Sequence, residues 1–183
     1  MTKSLTAVLN SFVMSNMTPQ FCQFNRGVWQ ILESLVRKWA IENGTVYVIS
    51  GSLFDWNKDG KPDERQSIRR MKSRNGKQRV AIPSAFYKVL LHQNPDGTVL
   101  TLAFILPNDQ TDLDGAAAVK YLADHIRSIK EVEEASGMTL FPDISGAPAA
   151  VKDVRAPAMW KYEGKPARSL VMENCRKTAG KPF

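Results

Sequence analysis

Residues 15–37 read S-N-M-T-P-Q-F-C-Q-F-N-R-G-V-W-Q-I-L-E-S-L-V-R, a polar loop running into an amphipathic helix. Val28, Ile31, Leu32, Leu35, Val36 and Trp39 fall at helical spacing and make one apolar stripe. Asn25, Trp29, Glu33 and Arg37 step along the same helix four residues at a time. At about 100° per residue that row lies roughly a third of a turn from the centre of the stripe. It places an amide, a carboxylate and a guanidinium together at the edge of a buried helix. Spacing alone favours the plainer reading, a solvated face with a Glu33–Arg37 ion pair.

Outward from this stretch, Thr2–Asn10 reads as a short helix and Phe12–Met14 as a short strand. The main helix should run from about Asn25 to Glu42 and stop at the N-G pair at 43–44. Thr45–Ser50 alternates as a buried strand that Gly51 breaks. Val80–Ile82, Phe86–Leu91 and Val99–Leu106 are further strands, the last two joined by a P-D-G turn at 95–97. Ala116–Ile126 reads as a helix or a helix–strand junction. S-I-K-E at 128–131 is a capping box for a helix ending at Gly137. Residues 146–183 are richer in Pro, Gly and Lys and read as a surface tail docked by Trp160 and Tyr162.

Two stretches carry concentrated charge. Asp55–Asp63 reads D-W-N-K-D-G-K-P-D. Asp55, Asn57, Asp59, the Lys61 carbonyl and Asp63 sit at positions 1, 3, 5, 7 and 9 of an EF-hand-type calcium loop, with Gly60 at the turn position. Gln66 stands where the closing glutamate belongs. The same residues also suit a plain Asp/Asn/Gly turn. Arg65, Arg69, Arg70, Lys72, Arg74, Lys77 and Arg79 follow with no acid between them. So many cations cannot be buried without partners, so this reads as an exposed, mobile loop. It is either a sequence-independent contact to phosphates or simply solvated.

The whole chain has 183 residues, 43% of them hydrophobic, and a formal net charge of +7. That suits one domain with a sizeable core and an anionic partner, nucleic acid before membrane. No run is apolar enough to span a bilayer, and no membrane partner is expected. The two cysteines, Cys22 and Cys175, make neither a metal cluster nor a disulfide framework, and sequence does not show whether they pair.

The ordered segments S-N-M-T-P-Q (15–20), F-N-R-G-V-W (24–29) and L-E-S-L-V-R (32–37) closely resemble the core of the DNA/RNA non-specific endonucleases, the ββα-metal or His-Me finger nucleases. V-Y-V-I-S-G (46–51), A-I-P-S-A-F-Y-K-V (81–89) and A-F-I-L-P-N (103–108) continue the resemblance in order. It covers about Ser11 to Ile144. It implies an α+β fold with a central, mainly antiparallel sheet flanked by helices, N-terminally truncated, in one domain over 1–183. It also implies a sequence-non-specific hydrolase of DNA and RNA phosphodiesters. Asn25 would be the only protein ligand of a catalytic Mg²⁺, Glu33 would hold metal-bound water, Arg37 would contact phosphate, and Asn16 would be a polar neighbour. The 55–63 loop is also similar to the calcium loop in the nuclease-like domain of ectonucleotide pyrophosphatases.

One part of the family pattern is missing. The D-R-G-H segment, whose histidine is the general base, precedes the S-N-x-x-P-Q motif in relatives. Here His92 and His125 are the only histidines, and neither has that context. We therefore expect Met1 to be an internal methionine of a longer nuclease, periplasmic or secreted if it carries an upstream signal. The alternative is an inactive module that binds nucleic acid or Ca²⁺. Loss of the upstream strands would uncover surface near Phe12, Val46 and Val48 and favour a homodimer.

Overall fold

The structure, a computed structural model, describes residues 18–72, 76, 79–142 and 149–164. The helix and strand expected within 2–14, together with Phe12, Asn16, Arg74, Lys77 and Cys175, lie outside the described residues.

A short helical turn, Cys22–Phe24, leads into a wide π turn, Asn25–Trp29, and then into helix α1, Gln30–Asn43. The regular helix thus begins five residues later than the periodicity suggests. Gly27, with φ −99° and ψ −113°, breaks the helical path between the two, a kink of the kind glycine permits. Ile31, Leu32, Leu35 and Trp39 bury the apolar stripe. Gly44, at φ +82°, ends the helix.

The sheet has strand order β1-β4-β5-β6 and is antiparallel throughout. Its strands are β1 (Tyr47–Leu53), β4 (Ala85–Gln93), β5 (Val99–Pro107) and β6 (Ile126–Arg127). The turn predicted at 95–97 joins β4 to β5, with Gly97 at φ +85°. Pairing of Ser50 with Lys88 and of Lys88 with Phe104 fixes which residues share a face. Phe86, Leu90, Leu102, Phe104 and Leu106 point toward α1 and pack with Phe24, Val28 and Trp29. Helix α2, Gly115–Asp124, adds Ala118 and Leu122 to that cluster. The opposite face, with Leu53, Tyr87, Val89 and Ala103, packs on helix α3, Ile129–Ser136. The sheet is therefore sandwiched between helices, as expected.

Two strand readings need correction. β1 does not stop at Gly51 but continues to Leu53, and it is an edge strand rather than a buried one, with Tyr47 57% and Val48 41% exposed. Val46 is partly buried against the core. Gly51 fits within the strand because its partner Tyr87 lays its ring where a side chain would go. A Cβ at 51 would meet that ring at 2.6 Å. The basic stretch is not all loop either, since β2 (Arg70–Lys72) pairs with β3 (Arg79–Ala81) in a separate two-stranded ribbon.

At α3 the capping box is complete. Ser128 Oγ accepts from the Glu131 N–H, and Glu131 Oε2 accepts from the Ser128 N–H. After helix α4, Ala149–Asp153, the described part of the expected 146–183 tail reaches α1 at Trp160. Trp39 Nε1 donates to the Trp160 carbonyl at 3.0 Å, and the two rings meet edge to face at 5.7 Å.

Candidate functional site

The π turn, the start of α1 and the edge of the sheet enclose a cleft of about 610 Å³. Gln20, Asn25 and Glu33 line it from the helical side, and Ser50, Ser52 and Lys88 from the sheet. Trp29 and Phe86 give it an aromatic floor, and Phe24 packs on both from the core with centroids 5.5–5.6 Å away. The wide turn carries Asn25 and Trp29 to the same opening as Glu33 despite the interrupted helix.

Asn25 is oriented by its neighbour, its Nδ2 donating to Gln20 Oε1. That leaves the amide oxygen Oδ1 as the atom that can meet a ligand. The Pro19–Phe21 segment leading to it is held by Asn108, which is 3% exposed at the end of β5. Asn108 Oδ1 accepts from the Phe21 N–H at 3.0 Å, and its Nδ2 donates to the carbonyls of Pro19 and Pro83 at 3.2 and 3.0 Å. Both ends of this buried amide are thereby satisfied.

Lys88, on the central strand β4, is 6% exposed. Its Nζ donates to Ser50 Oγ at 2.7 Å and sits 4.4 Å from the centroid of Trp29. Burial pulls its pKa below the ordinary lysine value, and the charge of Glu33 pushes back upward.

The remaining predicted residues spread out. Arg37 is exposed, does not line the cleft, and forms no ion pair with Glu33. Neither histidine lines the cleft. The ring nitrogens of His92 face the Thr45 carbonyl and the Asn94 side chain, and that of His125 donates to the Tyr121 carbonyl at 2.7 Å. Both are structural.

The 55–63 loop coils on its own carboxylates. Asp55 accepts from the Asp59 and Gly60 N–H groups, Asn57 from the Asp59 N–H, Asp59 from the Lys61 N–H, and Asp63 from the Trp56 N–H. Asn57 Nδ2 also donates to Asp59 at 3.0 Å. Arg65, Arg69 and Arg70 are exposed beside this loop, and the Arg69 guanidinium stacks 4.0 Å over the Trp56 ring. Lys72 and Arg79 lie on paired backbone of the ribbon.

Among the described residues no three His, Cys, Asp or Glu side chains converge to hold a metal, and no helix is long and apolar enough to cross a membrane. Cys22 is disulfide-bonded. Sequence reasoning missed Lys88 and Asn108. A lysine at a core-facing position of an otherwise apolar strand was the available signal, since lysine is almost never fully buried without a purpose or a partner.

Against known proteins, the profile described as DNA/RNA non-specific endonuclease matches residues 1–147. Human mitochondrial Endonuclease G is 28% identical over 155 residues, covering 84% of this chain and 48% of that protein. Nuclease C1 of Cunninghamella echinulata var. echinulata is 35% identical over 138 residues, covering 74% and 50%. The crystal structure of the EndoG/EndoGI complex superposes with a TM-score of 0.54 at 26% identity, covering 74% of this chain and 52% of that one. The chain spans about half the length of these two relatives.

Proposed function

The chain belongs to the DNA/RNA non-specific endonuclease family, and from that premise we propose that the Asn25–Glu33 cleft binds Mg²⁺ and hydrolyses DNA and RNA phosphodiesters without sequence preference. The observation that carries this is the convergence of Asn25 and Glu33 on one cleft, with the Asn25 amide turned by Gln20 so that its oxygen is left for a ligand. These residues fit a hard cation that keeps most of its waters, since they offer oxygen donors and one direct ligand. Bound there, Mg²⁺ supplies stabilisation of the charge that develops on the scissile phosphate.

The chain's own groups do the rest. Asn25 Oδ1 presents the single protein oxygen. Glu33 accepts hydrogen bonds from water in the cleft and so orients it. Arg37, exposed one helical turn further on, meets a phosphate beyond the rim. Arg65, Arg69 and Arg70 hold the backbone at a distance from the cleft, which gives affinity without base readout.

The test uses supercoiled plasmid and a folded RNA, with and without Mg²⁺. Imidazole is added as an external proton acceptor because no described histidine lines the cleft. Both substrates should be cut at many positions only when Mg²⁺ is present, slowly without imidazole and faster with it, and less as salt rises. No cutting of either substrate under any of these conditions would overturn the proposal.

A separate cation reading applies to the 55–63 loop. Its oxygens suit Ca²⁺, and Asp55 already accepts from the N–H groups that an EF-hand-type loop turns inward. Binding requires the Asn57–Asp59 hydrogen bond to open. Ca²⁺ bound only by the folded chain should raise the melting midpoint relative to chelator, and Asp59→Ala should remove that rise. Equal midpoints with Ca²⁺ and with chelator would reject the reading.

A further inference from the structure

Lys88 is the one charged side chain buried in the cleft, and no role in the proposed reaction has yet used it. Lysine on a central strand costs free energy to bury, and it forms no direct ion pair with any of the described residues. What it has is a fixed seat. The Ser50 hydroxyl at 2.7 Å and the Trp29 ring at 4.4 Å hold the ammonium on the sheet side of the cleft. Asn25 and Glu33 look onto the same space from the helical side. Glu33 is the charge that Lys88 feels. A cation placed at Asn25 would be repelled by this ammonium, so the lysine is not there to bind it.

We propose that Lys88 is a positioning residue whose buried ammonium acts as the counter-charge of Glu33, holding that carboxylate back from direct ligation of a cation at Asn25 so that it engages water instead. The inference rests on the reading of the cleft as a Mg²⁺-dependent nuclease site. The physical logic is a balance of two attractions. Without Lys88, the Glu33 carboxylate has no opposite charge among the described residues that line the cleft other than the incoming cation, and at low effective dielectric that attraction is strong. It would collapse onto the cation, bind it more tightly and cease to orient water.

Mg²⁺ binding by calorimetry, without nucleic acid, tests this independently of cleavage. Wild type should bind Mg²⁺ weakly, and Asn25→Ala should not bind it at the cleft. Lys88→Met should bind it about tenfold more tightly. Adding Glu33→Gln to Lys88→Met should shrink that gain to about twofold, because the gain acts through Glu33. A purely structural lysine would give Lys88→Met equal or weaker binding, with no coupling to Glu33. Ser50→Ala, at an exposed position, keeps the charge and the fold even if Lys88→Met does not fold. It frees the ammonium toward Glu33 and should weaken Mg²⁺ binding about twofold. Asn25-dependent binding that Lys88→Met leaves unchanged or weakens, or that Ser50→Ala leaves unchanged, overturns this proposal alone. Wild type that shows no Asn25-dependent Mg²⁺ binding overturns the nuclease reading as well.

Discussion

Asn25→Ala should lower Mg²⁺-dependent cleavage by about a hundredfold or more, an expected loss of the size seen when a metal-site or transition-state contact is removed. The argument runs from the turn upward. The π turn and the kink at Gly27 put the Asn25 side chain at the cleft, and Gln20 fixes which way its amide faces. Among the described residues that line the cleft the one carboxylate is Glu33, which the proposal assigns to water rather than to the metal. Alanine removes the oxygen and leaves the packing alone, so the melting midpoint should hardly move. The check is a plasmid-nicking time course of wild type and variant at equal Mg²⁺, with thermal melts of both. Cleavage within a few fold of wild type would mean that the metal is held elsewhere.

Trp39→Ala should be the most destabilising single change, costing about 3–5 kcal/mol. Trp39 is fully buried at the C-terminal end of the α1 stripe. It also holds the tail, through its Nε1 bond to the Trp160 carbonyl and through the edge-to-face ring contact. Truncation leaves a large cavity and removes one of the ties on the 154–163 segment, leaving those of Lys38 and Glu42 to Glu163 and of Arg155 to Glu131. For a chain of this length the midpoint should fall by about 10 °C. Trp160→Ala, which removes only the partly buried partner, should cost less. Thermal or urea unfolding of the two variants decides the order. A Trp39→Ala loss below that of Trp160→Ala would show that the tail, and not the stripe, carries the stability.

Much of this fold was legible because its elements announce themselves locally. The α1 stripe, the turn at Gly97 and the Ser128–Glu131 capping box each rest on residues a few positions apart, and each stands where the pattern puts it. The sheet faces followed from alternation once Ser50, Lys88 and Phe104 were seen to pair. What sequence could not supply was tertiary. Gly51 read as a strand end because glycine lacks a side chain to pack, yet the Tyr87 ring from the next strand covers it. The basic stretch read as loop because its charges cannot be buried, yet Arg70–Lys72 and Arg79–Ala81 pair as a two-stranded ribbon that satisfies the backbone, with Arg70 exposed. Asn25, Glu33 and Arg37 read as one row on one helix. The wide turn ahead of α1 keeps Asn25 and Glu33 together and leaves Arg37 outside.

Asn108 has a consequence for how this sequence can vary. One buried amide ties together Phe21, 87 residues away, and Pro83, 25 residues away. The entropy of closing such loops rises only with the logarithm of their length, by about 0.6 kcal/mol for each doubling. Insertions or deletions in the turns at 57–61 or 94–98 therefore change the cost of closure very little, while the approach to Asn25 is set by a clamp that those turns do not touch. Loop length and cleft geometry are separate variables in this architecture. Diversity can accumulate in the outer turns without being transmitted to the residues that face the ligand, as long as position 108 keeps an amide.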